Sequence, residues 1–203
     1  MICTEHQCIF VHIPRTGGTS IEQKLGLFET PFHTAQDHRP IYVIHNEVDK
    51  KEFDRYFKFT IVRNPWSRLF SWYKCVLNDV EYKQSLGVPD SCSFHDFITT
   101  HSDQWVLKPQ LYWLKDTSDM VHMDFIGRFN RLEHDFAKVG KLLGLKDTSL
   151  PRLLPAPELK TSGEQSYHHH YDPELKKIVA DRYAEEIELF GFSFDDEAQA
   201  LSA

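Results

Sequence analysis

Apolar positions divide the chain into alternating strand-like and helix-like stretches. Gln7 to Ile13 is a short apolar run of the kind buried at the centre of a parallel sheet. Thr19 to Phe28 follows with Ile21, Leu25 and Phe28 at helical spacing, and the polar stretch Glu29 to Pro40 reads as a loop. Ile41 to His45 predicts a second strand, and Lys50 to Phe57 a helix or turn. Phe57 to Val62 predicts a third strand that runs into Arg63-Asn64-Pro65. Asn64 suits an N-cap there, and Pro65 the first helical position. Trp66, Leu69, Phe70 and Tyr73 then repeat as one buried helical face.

Asn78 to Pro89 is weakly patterned and reads as a loop or insertion, followed by helical stretches at Ser93 to Thr100 and Asp103 to Leu114. Met120 to Ile126 predicts a fourth strand. Asn130 and Glu133 have capping-box spacing before a helix that carries Leu132, Phe136, Val139 and Leu143 and stops at Gly144. Lys146 to Tyr171 reads as loop. Asp172-Pro173 opens the clearest helix, with Leu175, Ile178, Val179, Tyr183, Ile187 and Phe190 inward and Gly191 at its end. Strands alternating with helices predict an α/β fold with a parallel sheet.

At 203 residues, 41% of them hydrophobic, the chain is expected to form one domain over 1–195, with 196–203 as a frayed tail. A net charge of −7 argues against a general nucleic-acid binder. Cys3, Cys8, Cys75 and Cys92 form no C-x-x-C pair and read as free thiols. The run Cys8 to Ile13 is too short to span a membrane, and no signal-peptide pattern precedes it, so a cytoplasmic location is expected.

Candidate chemistry concentrates in Phe10 to Glu22, FVHIPRTGGTSIE, a strand, a glycine turn and a helix start. Gly17 and Gly18 permit a sharp bend and close approach to a ligand. Thr16, Thr19 and Ser20 add hydroxyls, Arg15 adds charge, and the helix N-terminus faces the same point. The combination predicts a cradle for phosphate or a similar anion. It is not a Walker A loop, because no Lys precedes the hydroxyl residue. A plain glycine turn would explain two glycines, but not the strand, basic residue, hydroxyls and helix in this order.

His12-Ile13-Pro14-Arg15-Thr16-Gly17-Gly18-Thr19-Ser20 resembles the 5′-phosphosulfate loop of sulfotransferases that use 3′-phosphoadenosine-5′-phosphosulfate (PAPS), with Arg15 where Lys is usual. Val62 to Tyr73 resembles the same family's VRNPYDRLVSAY segment. By that resemblance Arg63 and Ser71, eight residues apart, hold the 3′-phosphate. Asp124-Phe125-Ile126-Gly127-Arg128-Phe129 resembles DFIGRFE, which implies that Arg128 lies near the nucleotide. The resemblance implies a P-loop-like three-layer fold with a central parallel sheet flanked by helices. It also implies PAPS as cosubstrate, no metal, and a hydroxyl acceptor of carbohydrate or other small-molecule type.

Transfer then needs a base for the acceptor hydroxyl and a cation for the leaving oxygen. Arg15 is placed for the second role. His33, between the two phosphate motifs, is the candidate base, and His45 the runner-up. His12 reads as buried structure, and His168-His169-His170 as a solvated loop. A small-molecule kinase is the first alternative, but Arg63 stands where Mg²⁺ would need a carboxylate. A non-catalytic nucleotide-binding module is the second.

Overall fold

The structure, a computed structural model, describes residues 1–27, 36–151 and 166–196. Among them the order is β1 (Ile2–Cys3), β2 (Cys8–Val11), α1 (Gly18–Lys24), α2 (Ile41–Glu47), α3 (Lys50–Arg55), β3 (Phe57–Val62) and α4 (Pro65–Leu77). Then come α5 (Val80–Ser85), α6 (Phe94–Thr100), α7 (Leu111–Leu114), β4 (Phe125–Arg128), α8 (Leu132–Leu142), α9 (Pro173–Arg182) and α10 (Ala184–Phe190). The chain divides into two compact units, Met1–Val62 with Gln110–Pro155, and Arg63–Pro109 with Ala156–Ala203.

The first unit is built on the sheet, in the order β1-β2-β3-β4. β2 pairs in parallel with β3, and β3 with β4, while β1 is an antiparallel edge on β2. On one sheet face Phe10, Phe59 and Ile61 pack with Ile21 and Leu25 from the α1 region and Phe136 and Val139 from α8. Strand alternation turns Ile9 and Val11 to the other face, and they too are fully buried. Burial on both faces is the signature of a parallel sheet in an α/β protein, so the expected fold class holds.

The second unit is helical. Asn64 accepts from the backbone N–H groups of Trp66 and Ser67 and so caps α4, with Pro65 at its first position, as the sequence predicts. Trp66, Leu69, Trp72 and Val76 from α4 pack with Phe97, Leu175, Val179 and Tyr183. Arg68 is buried among them and donates to the carbonyls of Val106 and Lys108.

Several elements differ from expectation. Ile41–Glu47 is a helix and not a strand: Ile41 and Ile44, three apart, are its buried residues and suit a helical stripe. Val80–Ser85 is helical and not loop, because the Asp79 carboxylate caps it by accepting from the Tyr82 N–H. The strand expected from Met120 begins only at Phe125, since Asp116 ties the Ser118 and Met120 N–H groups into a turn. Asp103 to Leu114 resolves into a single 3₁₀ turn at Trp105–Leu107 and the short α7. The capping box at Asn130 and Glu133 does not form: Asn130 lies in a 3₁₀ turn, and α8 starts without a side-chain cap. The final helix breaks at Tyr183, whose buried hydroxyl donates to the Leu107 carbonyl. Strand β1 was not expected, and α1 ends at Lys24, earlier than the spacing to Phe28 implies. Phe28 and the tail 197–203 lie outside the described residues.

Candidate active site

β2 delivers the chain to the glycine turn. His12 and Ile13 are buried, and the Thr16 hydroxyl donates back to the Ile13 carbonyl at 2.8 Å, closing the bend. Arg15 has φ 69° and Gly17 φ 80°, so two left-handed residues flank the buried Thr16. A left-handed arginine is uncommon, and such outliers collect at functional sites. Gly17 bends the chain and Gly18 opens α1, but the space their missing side chains leave is filled by the protein itself. A Cβ on Gly18 would lie 2.1 Å from the His12 ring, and one on Gly17 2.7 Å from Leu132 Cδ2. The loop is thus seated on His12 beneath it and on Phe129 and Leu132 beside it.

Behind the loop lies a polar cluster. His12 Nδ1 is 2.9 Å from Glu22 Oε1, close but out of line for a hydrogen bond. Glu22 is fully buried on α1 and accepts from the Asp37 N–H at 3.0 Å. The His38 ring is 4.2 Å from that of His12, and Gln36 Nε2 donates to Thr19 Oγ1 at 2.9 Å. Burial first, then the neighbouring His12, hold the His38 imidazole down at about 4. The segment before Pro40 therefore braces the loop through Gln36, Asp37 and His38. None of these was singled out in the sequence, although Gln36-Asp37-His38-Arg39 is an unbroken polar run just before Pro40 and the helix α2.

Arg128 ends β4, and its backbone N–H donates to Asp135 Oδ2 at 2.9 Å. Burial raises the Asp135 carboxyl, but that N–H and the nearby Arg131, His134 and Lys138 outweigh it and leave the carboxyl below its ordinary value. Gly127 lets α8 sit tightly on β4, since a Cβ there would meet Ile61 at 2.6 Å and Asp135 at 3.1 Å. The Asp124–Phe129 segment thus has a packing role, and its Phe129 flanks Gly17.

In the second unit Arg63 immediately precedes the α4 cap. Its Nε donates to Ser67 Oγ at 2.9 Å, one turn before Ser71, and both Arg63 and Ser71 are partly exposed. Asn64 Nδ2 also donates to the Ser193 carbonyl at 2.6 Å, which ties the helix start to the chain after α10.

Residues 1–193 match the profile described as the sulfotransferase family. The chain belongs to the sulfotransferase family. An uncharacterized protein of Archaeoglobus fulgidus is 33% identical over 53% of this chain and 84% of its own length. Carbohydrate sulfotransferase 14 of Danio rerio is 20% identical over 95% of this chain, which spans 61% of that protein. No solved structure matches.

The other sequence candidates fall as follows in this sulfotransferase-family chain. His33 lies outside the described residues. His45 sits on α2, stacked on Phe53 at 4.2 Å. His12 is buried, as expected. His168 and His170 lie in the 3₁₀ turn Tyr167–His170, where His168 pairs with Ser166 and the Phe194 carbonyl and His170 stacks on Phe70. Among the described residues no group of three or more His, Cys, Asp or Glu converges as a metal site, and no helix is long and apolar enough to cross a membrane. An open surface depression of about 440 Å³, lined by Val80, Lys83, Val88 and Asp90, carries none of the motif residues.

Proposed function

We propose that this sulfotransferase-family chain moves a sulfuryl group from PAPS to a hydroxyl acceptor of carbohydrate type. The observation that carries the reading is the turn at Arg15–Gly17, where two left-handed residues and a tied-back threonine lead into a helix start. Left-handed residues in turns let successive N–H groups converge on an anion. The family match supports the chemistry, and the similarity to the Danio rerio carbohydrate sulfotransferase supports the acceptor class.

In the proposed reaction the acceptor oxygen attacks sulfur as the bond from sulfur to the bridging oxygen breaks. The 5′-phosphosulfate is assigned to Thr16, Gly17, Gly18, Thr19 and Ser20, and the 3′-phosphate to Arg63 and Ser71, with Arg128 near the nucleotide. Arg15 stabilises the bridging oxygen, which leaves on 3′-phosphoadenosine-5′-phosphate. His33 takes the acceptor proton. Loop donors and Arg15 suffice for a sulfuryl group, which carries less charge than a phosphoryl group, so no metal enters the scheme.

Transfer of labelled sulfate from PAPS to a panel of glycans, phenols, lipids and peptides, with EDTA in excess, tests the proposal. The expected result is metal-independent label on a glycan, lost in His33→Ala, since a missing base costs about a hundredfold or more in rate. Strict Mg²⁺ dependence would point to phosphoryl transfer, and full activity in His33→Ala would clear that residue and move the test to His45.

A further inference from the structure

One imidazole in the cluster behind the loop faces two oxygens. His38 Nδ1 lies 2.8 Å from the His12 carbonyl, which only accepts. His38 Nε2 lies 3.0 Å from Gln36 Oε1, while the other end of that amide donates to Thr19 Oγ1. Two acceptors demand two N–H groups, so this arrangement belongs to the charged ring. Burial nevertheless favours the neutral ring. A neutral His38 keeps its proton on Nδ1, facing the carbonyl, and turns a bare Nε2 to Gln36. The Gln36 amide then rotates half a turn, offering its NH₂ to His38 and its oxygen to Thr19. The exchange swaps atoms of nearly equal size and moves no backbone.

Thr19 registers the difference. When Gln36 donates to Oγ1, the hydroxyl proton points elsewhere and is available to an anion in the loop. When Gln36 accepts, that proton is drawn to the amide, and Oγ1 turns lone pairs toward a negative ligand.

We propose that His38 is a positioning residue that sets the direction of the Thr19 hydroxyl through Gln36, so that binding of a phosphate or phosphosulfate at Thr16–Ser20 and protonation of His38 favour each other. The inference rests on the anion reading of the loop given above. The groups facing His38 set the balance. His12, with its ring 4.2 Å away, disfavours the charged form of His38, while Glu22 and Asp37 favour it. Asp37 is itself held by Arg39 and by the Met1 ammonium at 3.2 Å. Trp113 Nε1 donates to the His38 carbonyl at 3.1 Å. The coupling is reciprocal. If charged His38 binds the anion tenfold better, the anion raises the His38 midpoint by about one pH unit.

The test is NMR titration of the ¹⁵N-labelled histidine rings of the full chain, with and without saturating 3′-phosphoadenosine-5′-phosphate. The ligand's bare charge lifts every nearby histidine, so Gln36→Leu serves as the reference. The expected result is a His38 midpoint raised by about one pH unit or more in the parent chain and by clearly less in Gln36→Leu. A midpoint that the ligand leaves unmoved, or an equal rise in Gln36→Leu, overturns the proposal. If the nucleotide does not bind, the PAPS reading has failed, and the same titration against inorganic sulfate decides the coupling by the same two criteria. Failure of both anions to bind overturns both.

Discussion

Arg15 carries its charge on a left-handed backbone, a conformation that costs a non-glycine residue of order 1 kcal/mol or more. In the proposed reaction charge on the bridging oxygen grows only as the S–O bond breaks, so a cation there favours the transition state over the bound donor. Arg15→Ala is therefore expected to slow single-turnover transfer by about a hundredfold, with a smaller loss of nucleotide affinity. Arg15→Lys should retain much of the rate, because the role needs a point charge and not a fork of donors. Equal losses in binding and rate for Arg15→Ala would make Arg15 a plain anchor. The charge of Arg15 was legible in the sequence, but its backbone strain was not. Gln36 and His38 were missed for a related reason: Gln36 bonds Thr19 and His38 bonds the His12 carbonyl, contacts distant in sequence that no local period marks.

At the scale of elements, Asn64-Pro65 and Asp172-Pro173 were legible because a cap acts within three residues of itself. Asn64 also reaches the Ser193 carbonyl, so Asn64→Ala should cost about 1 kcal/mol from the cap alone and somewhat more in total. Urea unfolding measures this, and an unchanged midpoint would deny the cap its role. Ile41–Glu47 was misread because a short apolar run does not tell strand from helix; Pro40 and the burial of both Ile41 and Ile44 decided for helix. Two-residue β1 was beyond any periodicity, and its pairing of Cys3 opposite Cys8 exists only in the sheet.

For the molecule as a whole, the α/β class followed from strands buried on both faces, whereas the division into two compact units had no mark in composition. The His38 pKa sets one global property. Its folded value, about 4, lies below its ordinary value of 6.5, so the unfolded chain binds the proton first as pH falls. Stability is full above about 6.5 and declines as pH falls toward about 4, by roughly 3 kcal/mol at most. Thermal melts across that range should show the decline, and His38→Gln, which cannot titrate, should flatten it. A slope unchanged in the variant would assign the effect to other groups. Calorimetry of 3′-phosphoadenosine-5′-phosphate against AMP, ligands that differ by the phosphate assigned to Arg63 and Ser71, decides whether this chain takes PAPS as proposed. The first should bind at least about a hundredfold more tightly, as expected for a charged, hydrogen-bonded phosphate. Equal affinities would contradict it.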